Sequence, residues 1–261
     1  MIVVKFGGHA MKDENGNFAK AISAALATGE KVVVVHGGGP QIDAALKAHH
    51  ISSDWIGGFR VTTQEIFNVV EEVLVNQVGQ EVATTLSKSG IKARAISARA
   101  LPTVIAKRRT TLIDGTPADL GFVGEVQSVN PAQLLDLIED GFVPVVAPVS
   151  SDVDLVTGLN VNADFAAASI AAALGASQLI VMTDVPGIYR NWPDKSSLID
   201  SITAHDLEVI KAGFAEGMAP KVQAALEALS YGAQAVRIID GTDPKSFASA
   251  LAGIGGTLVV A

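Results

Sequence analysis

Two lysines far apart in the chain, Lys5 and Lys221, each stand beside a turn signal from which an ammonium group could reach an anion. Lys5 lies near the end of a β-branched run and precedes Gly7 and Gly8, where missing side chains let backbone N–H groups approach a phosphate closely. A plain turn after a strand is the alternative. Lys221 closes Gly217-Met218-Ala219-Pro220-Lys221 at the start of a helical pattern, a place that suits an anion site or an ordinary solvated lysine. A second glycine turn, His36-Gly37-Gly38-Gly39-Pro40, separates an all-valine run from a helix. Pro40 sets that helix start, so backbone donors and a helix N-terminus face a ligand. The spacing matches neither the dinucleotide fingerprint nor a Walker A loop. His36 reads as a packed or hydrogen-bonded residue rather than a base.

Three polar side chains, Asn160, Asn162 and Asp164, open an otherwise apolar helix. Asn162 suits an N-cap and Asp164 the first turn, where the helix dipole favours an anion. That leaves Asn160 without a task. Together the three could fix a substrate and orient the two lysines, with Asp164 as a positioning acceptor rather than a proton shuttle. Arg60, at the end of a short glycine-rich hairpin, offers a planar fork for a carboxylate or is a surface arginine.

These residues need a frame that brings distant turns to one place. Short β-branched runs (2–6, 32–35, 143–147, 179–182, 236–239) alternate with alanine-rich helical segments, the rhythm of an α/β protein. The runs are apolar without alternation, as in central strands of an open, mostly parallel sheet covered on both faces, a three-layer αβα sandwich. Residues 63–88 carry apolar residues at three- and four-residue spacing and predict one long helix. Residues 102–129 read as a hairpin region projecting from the sheet, and 154–159 as a strand. A soft boundary falls near Ala176, giving lobes 1–175 and 176–261 on one continuous sheet.

The chain has 261 residues, no cysteine, and 27 acidic against 19 basic residues for a net charge of −8. Thiolate chemistry and disulfides are excluded. The charge argues against a nucleic-acid or anionic-membrane binder. The uncharged stretch 165–182 is better read as a buried helix, a glycine stop and a buried strand than as a membrane span. No signal peptide precedes the first strand, so a cytoplasmic protein is expected.

Taken in order, Lys5-Phe6-Gly7-Gly8-His9-Ala10-Met11, Val35-His36-Gly37-Gly38-Gly39-Pro40, Gly58-Phe59-Arg60-Val61-Thr62, Leu120-Gly121-Phe122-Val123-Gly124-Glu125-Val126, Asn160-Val161-Asn162-Ala163-Asp164, Thr183-Asp184-Val185-Pro186-Gly187-Ile188-Tyr189 and Gly217-Met218-Ala219-Pro220-Lys221 resemble the amino acid kinase family from end to end. The resemblance implies the carbamate kinase-like fold and an ATP-dependent phosphotransferase. The branch it is similar to acts on the side-chain carboxylate of N-acetyl-L-glutamate, forming an acyl phosphate in arginine biosynthesis. The first lobe would bind the acyl amino acid and form a homodimer, and the second would bind ATP.

By that resemblance, Lys5 and Lys221 neutralise the transferring phosphoryl group, Gly8 and Gly38 donate N–H bonds to it, and Asp164 holds both lysines. Gly38, Gly39, Arg60 and Asn160 grip the acceptor. Lys5, Gly7, Asp184, Val185, Pro186, Gly187, Ile188, Tyr189, Gly213, Phe214, Ala215 and Lys221 contact the nucleotide. Mg²⁺ arrives on ATP oxygens, and no protein metal ligand is assigned. Gly79 and Gln80 depart from the asparagine and lysine usual in that branch, which keeps other acceptors open. These are a related carboxylate such as carrier-bound aminoadipate or glutamate, for which Lys107-Arg108-Arg109 is the local basic candidate, or none at all in a sensor that kept the fold. The chain opens directly in its first strand, and residues 240–251 lack the histidine and glutamate of arginine-inhibited members. A homodimer through the 63–88 helix, insensitive to arginine, is therefore expected.

Overall fold

The β-branched runs become strands because their side chains meet apolar partners on both faces. In a computed structural model describing residues 1–7, 16–214, 218–243 and 245–261, eight strands form one sheet. Their order is Ser201–Thr203, Thr257–Val260, Ala235–Asp240, Gln178–Thr183, Ile2–Phe6, Val32–His36, Val143–Ala147 and Ala93–Ser97. Neighbours are parallel except that Thr257–Val260 runs antiparallel to Ala235–Asp240, with Ser201–Thr203 parallel to it. Alternate residues feed two cores. Val3, Val33, Val35 and Leu179 lie in one, and Ile2, Val4, Val34 and Ile180 in the other, so these runs are almost wholly apolar, with Lys5, His36 and Arg237 as buried exceptions.

Helices Ala132–Glu139, Ala163–Ala173 and Ala219–Ser230 cover the first face, and Asn17–Ala27, Gly39–Ala48, residues 64–88 and Ser246–Leu251 the second. The result is the expected three-layer sandwich. The uncharged stretch resolves into helix Ala163–Ala173, Gly175 at φ 58° and strand Gln178–Thr183. Among the described residues no helix is long and apolar enough to cross a membrane. The sheet is unbroken at the expected lobe boundary, since Gln178–Thr183 pairs directly with Ile2–Phe6.

Three elements differ from expectation. The hairpin of 102–129 belongs to a closed four-stranded barrel, Val104–Arg108, Val123–Val129, Val149–Asp152 and Gly158–Val161. The strand expected from 154 begins only at Gly158. The Asp154 carboxylate accepts the N–H groups of Val156 and Thr157, both at 2.8 Å, which ties 154–157 into a turn. The long helix is capped by Thr63, whose Oγ1 accepts from Ile66 N–H at 3.2 Å, but Glu72–Val78 is π-helical. That wider turn presses Leu74 and Val78 toward the second glycine turn: a Cβ on Gly38 would stand 2.6 Å from Leu74 Cδ2 and 3.4 Å from Val78 Cγ2.

Candidate active site

Strands Ile2–Phe6 and Val32–His36 pair with Phe6 opposite His36. Gly7 and the second glycine turn therefore leave the sheet side by side at its carboxyl edge, where ligands of open α/β sheets bind. Gly37 N–H donates to the Phe6 carbonyl at 2.8 Å and ties the turns together.

Lys5 Nζ lies 3.1 Å from Asp164 Oδ1, and Lys221 Nζ lies 3.3 Å from Asp164 Oδ2. One carboxylate thus holds two ammonium groups from strands and helices 57 or more residues away. Asn162 Oδ1 accepts Asp164 N–H at 2.8 Å and caps the helix, so capping is the role of Asn162, and the Asp164 side chain is left to the lysines. Asp164 is buried. Burial pushes its carboxyl pKa up, but Lys5 and Lys221 together outweigh that and hold it below the usual carboxylate range. It is ionised at neutral pH and serves as an anchor, not as a proton donor.

These three side chains line a cleft of about 320 Å³ with Gly38, Gly39, Arg60 and Asn160. A side chain on Gly39 would meet open space, so its backbone is accessible, whereas Gly38 has no room for one. Asn160 Nδ2 donates to Thr62 Oγ1 at 3.1 Å, and Thr62 donates in turn to the Arg60 carbonyl at 2.7 Å. Arg60 is buried, with Nη1 donating to Ser53 Oγ at 2.7 Å, Nη2 2.7 Å from Asp43 Oδ1, and Cζ 4.6 Å from the Trp55 ring centre. It is no surface arginine. His36 Nδ1 donates to the Gly37 carbonyl at 2.9 Å. Its burial lowers the pKa to about 4, so the ring is neutral and structural.

The cleft pairs cations and backbone donors for an anion with a guanidinium for a second one, and the sequence profile of the amino acid kinase family matches residues 1–240. The chain belongs to the amino acid kinase family. It is 45% identical over 248 residues to the acetylglutamate kinase of Nocardia farcinica, covering 94% of this chain and 82% of that relative. A solved Streptococcus mutans structure superposes with a TM-score of 0.83 at 27% identity, covering 99% of this chain and 98% of the other. Carbamate kinase from Giardia lamblia bound to AMP-PNP gives a TM-score of 0.70 at 18% identity, over 99% and 97% of the two chains, a likeness of fold.

Within this amino acid kinase, the remaining expected positions separate by location. Gly7 follows Lys5, and a Cβ there would stand 3.1 Å from Lys5 Nζ. Asp184, Val185, Pro186, Gly187, Ile188 and Tyr189 follow strand Gln178–Thr183 and do not line the cleft of Lys5 and Lys221. Ile188 is buried, its N–H donating to Thr257 Oγ1 at 2.8 Å, so it packs the segment while Asp184 and Pro186 are exposed. Gly213 ends the short helix Lys211–Gly213, and Phe214 packs on the core beyond it. Gly8 and Ala215 lie outside the described residues.

Asp43, Ser53 and Trp55 escaped the sequence reading, and Arg109 entered it only within the basic triplet. Asp43 had a signal, since it lies four residues after Gly39 on the same helix face. The inward stacking of Arg109 had none: its guanidinium sits 4.7 Å from the Phe59 ring centre and 5.3 Å from that of Phe165, neighbours of Arg60 and Asp164. Of the basic triplet only Arg109 is turned inward, since Lys107 and Arg108 are exposed, Arg108 stacking 4.1 Å from Phe122 and Lys107 facing Glu125 at 3.7 Å.

Proposed function

We propose that this protein transfers the γ-phosphoryl group of ATP to the side-chain carboxylate of N-acetyl-L-glutamate, forming an acyl phosphate in arginine biosynthesis. The observation that carries the reading is Asp164 holding Lys5 and Lys221 within 3.1 and 3.3 Å beside two glycine turns. The 45% identity to a relative named acetylglutamate kinase supports the acceptor.

Phosphoryl transfer needs in-line positioning and neutralised charge more than covalent help. Lys5 and Lys221 come from opposite ends of the chain and meet the transferring group from the acceptor side and the nucleotide side. Gly38 would offer an N–H group to its oxygens, the role that the family resemblance also gives Gly8. Asp164 fixes both ammonium groups, so little reorganisation is left for the transition state. Arg60, Asn160 and the Gly38-Gly39 backbone hold the acceptor, with Arg60 on the carboxylate that does not react. The reacting carboxylate is ionised at neutral pH and needs no general base.

Residues 1–175 would carry the acceptor and 176–261 the nucleotide, with Asp184, Val185, Pro186, Gly187, Ile188, Tyr189, Gly213, Phe214 and Ala215 around the latter. The donor set of the cleft suits phosphate oxygens, and no group of three carboxylate or imidazole side chains gathers among the described residues. Mg²⁺ would arrive with the nucleotide and supply further neutralisation when bound. Among the described residues nothing pairs with the outer edge of Ala93–Ser97, at the end of the sheet beside the 64–88 helix. That face suits an isologous homodimer in the cytoplasm, which light scattering measures.

The deciding assay is ADP release with N-acetylglutamate, glutamate, aspartate and aminoadipate in parallel, with hydroxylamine to trap acyl phosphate. Hydroxamate from N-acetylglutamate alone is the expected result. Preference for another acceptor reassigns the substrate, and no acceptor-dependent turnover leaves a sensor.

A further inference from the structure

Arg60 carries its charge with only 5% of the residue exposed, and a buried guanidinium without an anion is costly. Its counter-ion is Asp43, on helix Gly39–Ala48, at 2.7 Å from Nη2. The pair is asymmetric. The Arg60 side chain is 4% exposed and also held by Ser53 and the Trp55 ring, whereas the Asp43 side chain is 59% exposed. Among the described residues Arg60 is the sole recorded partner of the Asp43 carboxylate. Arg60 has nowhere to go, while Asp43 can turn into water, where a carboxylate is well solvated.

We propose that Asp43 is the resident counter-ion of Arg60 and competes with the acceptor's non-reacting carboxylate for the guanidinium, which makes it a specificity-determining residue. The proposal rests on the reading of Arg60 as the anchor of that carboxylate. An incoming carboxylate that bonds to Nη2, which has no hydrogen-bond partner among the described residues although Asp43 lies 2.7 Å away, must displace Asp43 or sit against its charge. One that adds on the Nε side meets a like charge on the same guanidinium. In either geometry the Asp43 charge opposes binding through Arg60. The competition also sets a threshold, because a small monocarboxylate with no second contact in the cleft gains too little to displace Asp43. An acceptor held at its other end by the glycine turns and Asn160 gains enough. Arg60 thus stays paired whether or not the cleft is filled.

The test compares equilibrium binding, by calorimetry without nucleotide, of N-acetylglutamate, N-acetyl-4-aminobutyrate, which lacks the second carboxylate, and acetate. The proteins are the unmodified chain, Asp43→Asn and Arg60→Lys. Asp43→Asn keeps size and removes charge at an exposed position, and thermal melting verifies its fold. It should tighten N-acetylglutamate about three- to tenfold, the scale of one screened charge contact. It should leave N-acetyl-4-aminobutyrate unchanged and make acetate binding measurable. Weaker or unchanged N-acetylglutamate binding in Asp43→Asn, with clear weakening in Arg60→Lys, overturns the competition and leaves Arg60 as the anchor. Indifference of all three ligands to Arg60→Lys removes the anchor itself. If the unmodified chain does not bind N-acetylglutamate, the acceptor assignment and this proposal fall together.

Discussion

Lys5 and Lys221 each sit within 3.3 Å of the same carboxylate, so each is held where a transferring phosphoryl group would meet it. Lys5→Ala and Lys221→Ala are each expected to lower kcat by roughly a hundredfold or more, since each removes charge matched to the transition state. Near-normal kcat in either variant would take that lysine out of the mechanism. His36 gives a prediction of a different kind. Its pKa falls from the ordinary 6.5 to about 4, burial being the larger cause against the Gly37 hydrogen bond. The unfolded imidazole therefore binds a proton below pH 6.5 that the folded one refuses until about pH 4. Unfolding takes up that proton, so stability declines as pH falls through this window, by on the order of 3 kcal/mol in all. Urea unfolding from pH 7 to 4 should show a shallower decline in His36→Asn than in the unmodified chain. Parallel declines would assign the proton to other groups.

At the scale of elements, the long helix couples to the site through its π-helical stretch. Gly79 ends Glu72–Val78, and a Cβ there would stand 3.0 Å from His36 Nε2 and 3.1 Å from the Leu74 carbonyl. Helix propensity alone favours alanine by about 1 kcal/mol. Crowding a packed ring and a backbone oxygen costs about 1–3 kcal/mol and here outweighs it. Gly79→Ala should be destabilised in urea and should raise KM for the acceptor, because the His36–Gly38 turn must shift. A stabilised variant with unchanged KM would show that the π-helical turn simply relaxes. None of this was legible in the sequence, where residues 66–82 show ordinary helical spacing and one π turn leaves no periodic trace. The parallel strands, the cap at Asn162 and the gathering of Lys5, Gly38, Arg60, Asn160, Asp164 and Lys221 in one cleft were legible, since local pattern and motif order encode them. The barrel was not. Its closure depends on Val104–Arg108 pairing with Val149–Asp152, and pairing between distant strands has no local signature. The pairing of Asp43 with Arg60 and the stacking of Arg109 were not legible either, their partners being remote or set by a hairpin's geometry.

Across the whole molecule, Asp164 ties the beginning of the chain to its last third, with Lys5 from the first strand on one oxygen and Lys221 on the other. The sheet is continuous beneath it, so the carboxylate does not hold two loose bodies together. It cancels two positive charges that the fold forces close. Both lysine side chains are largely buried, at 10% and 18% exposure, and solvent screens them poorly. Asp164→Asn removes the anion and leaves two ammonium groups facing one amide, a loss on the order of 3 kcal/mol. The folded-state pKa of Asp164 is depressed, so its stabilisation is present above the ordinary carboxylate range and lost as pH falls through the folded value. Asp164→Asn should accordingly lose most stability at neutral pH and approach the unmodified chain in acid. An anion placed between the lysines replaces the missing charge, so millimolar sulfate or ATP should restore more stability to Asp164→Asn than it adds to the unmodified chain. If lost lysine positioning is the whole defect, kcat falls without a new ionisation in its pH profile. Equal stabilisation of both proteins by sulfate, or a variant as stable as the unmodified chain in dilute buffer at pH 7, would mean that the lysines separate freely. Asp164 would then be a helix-start residue with no role as a clamp.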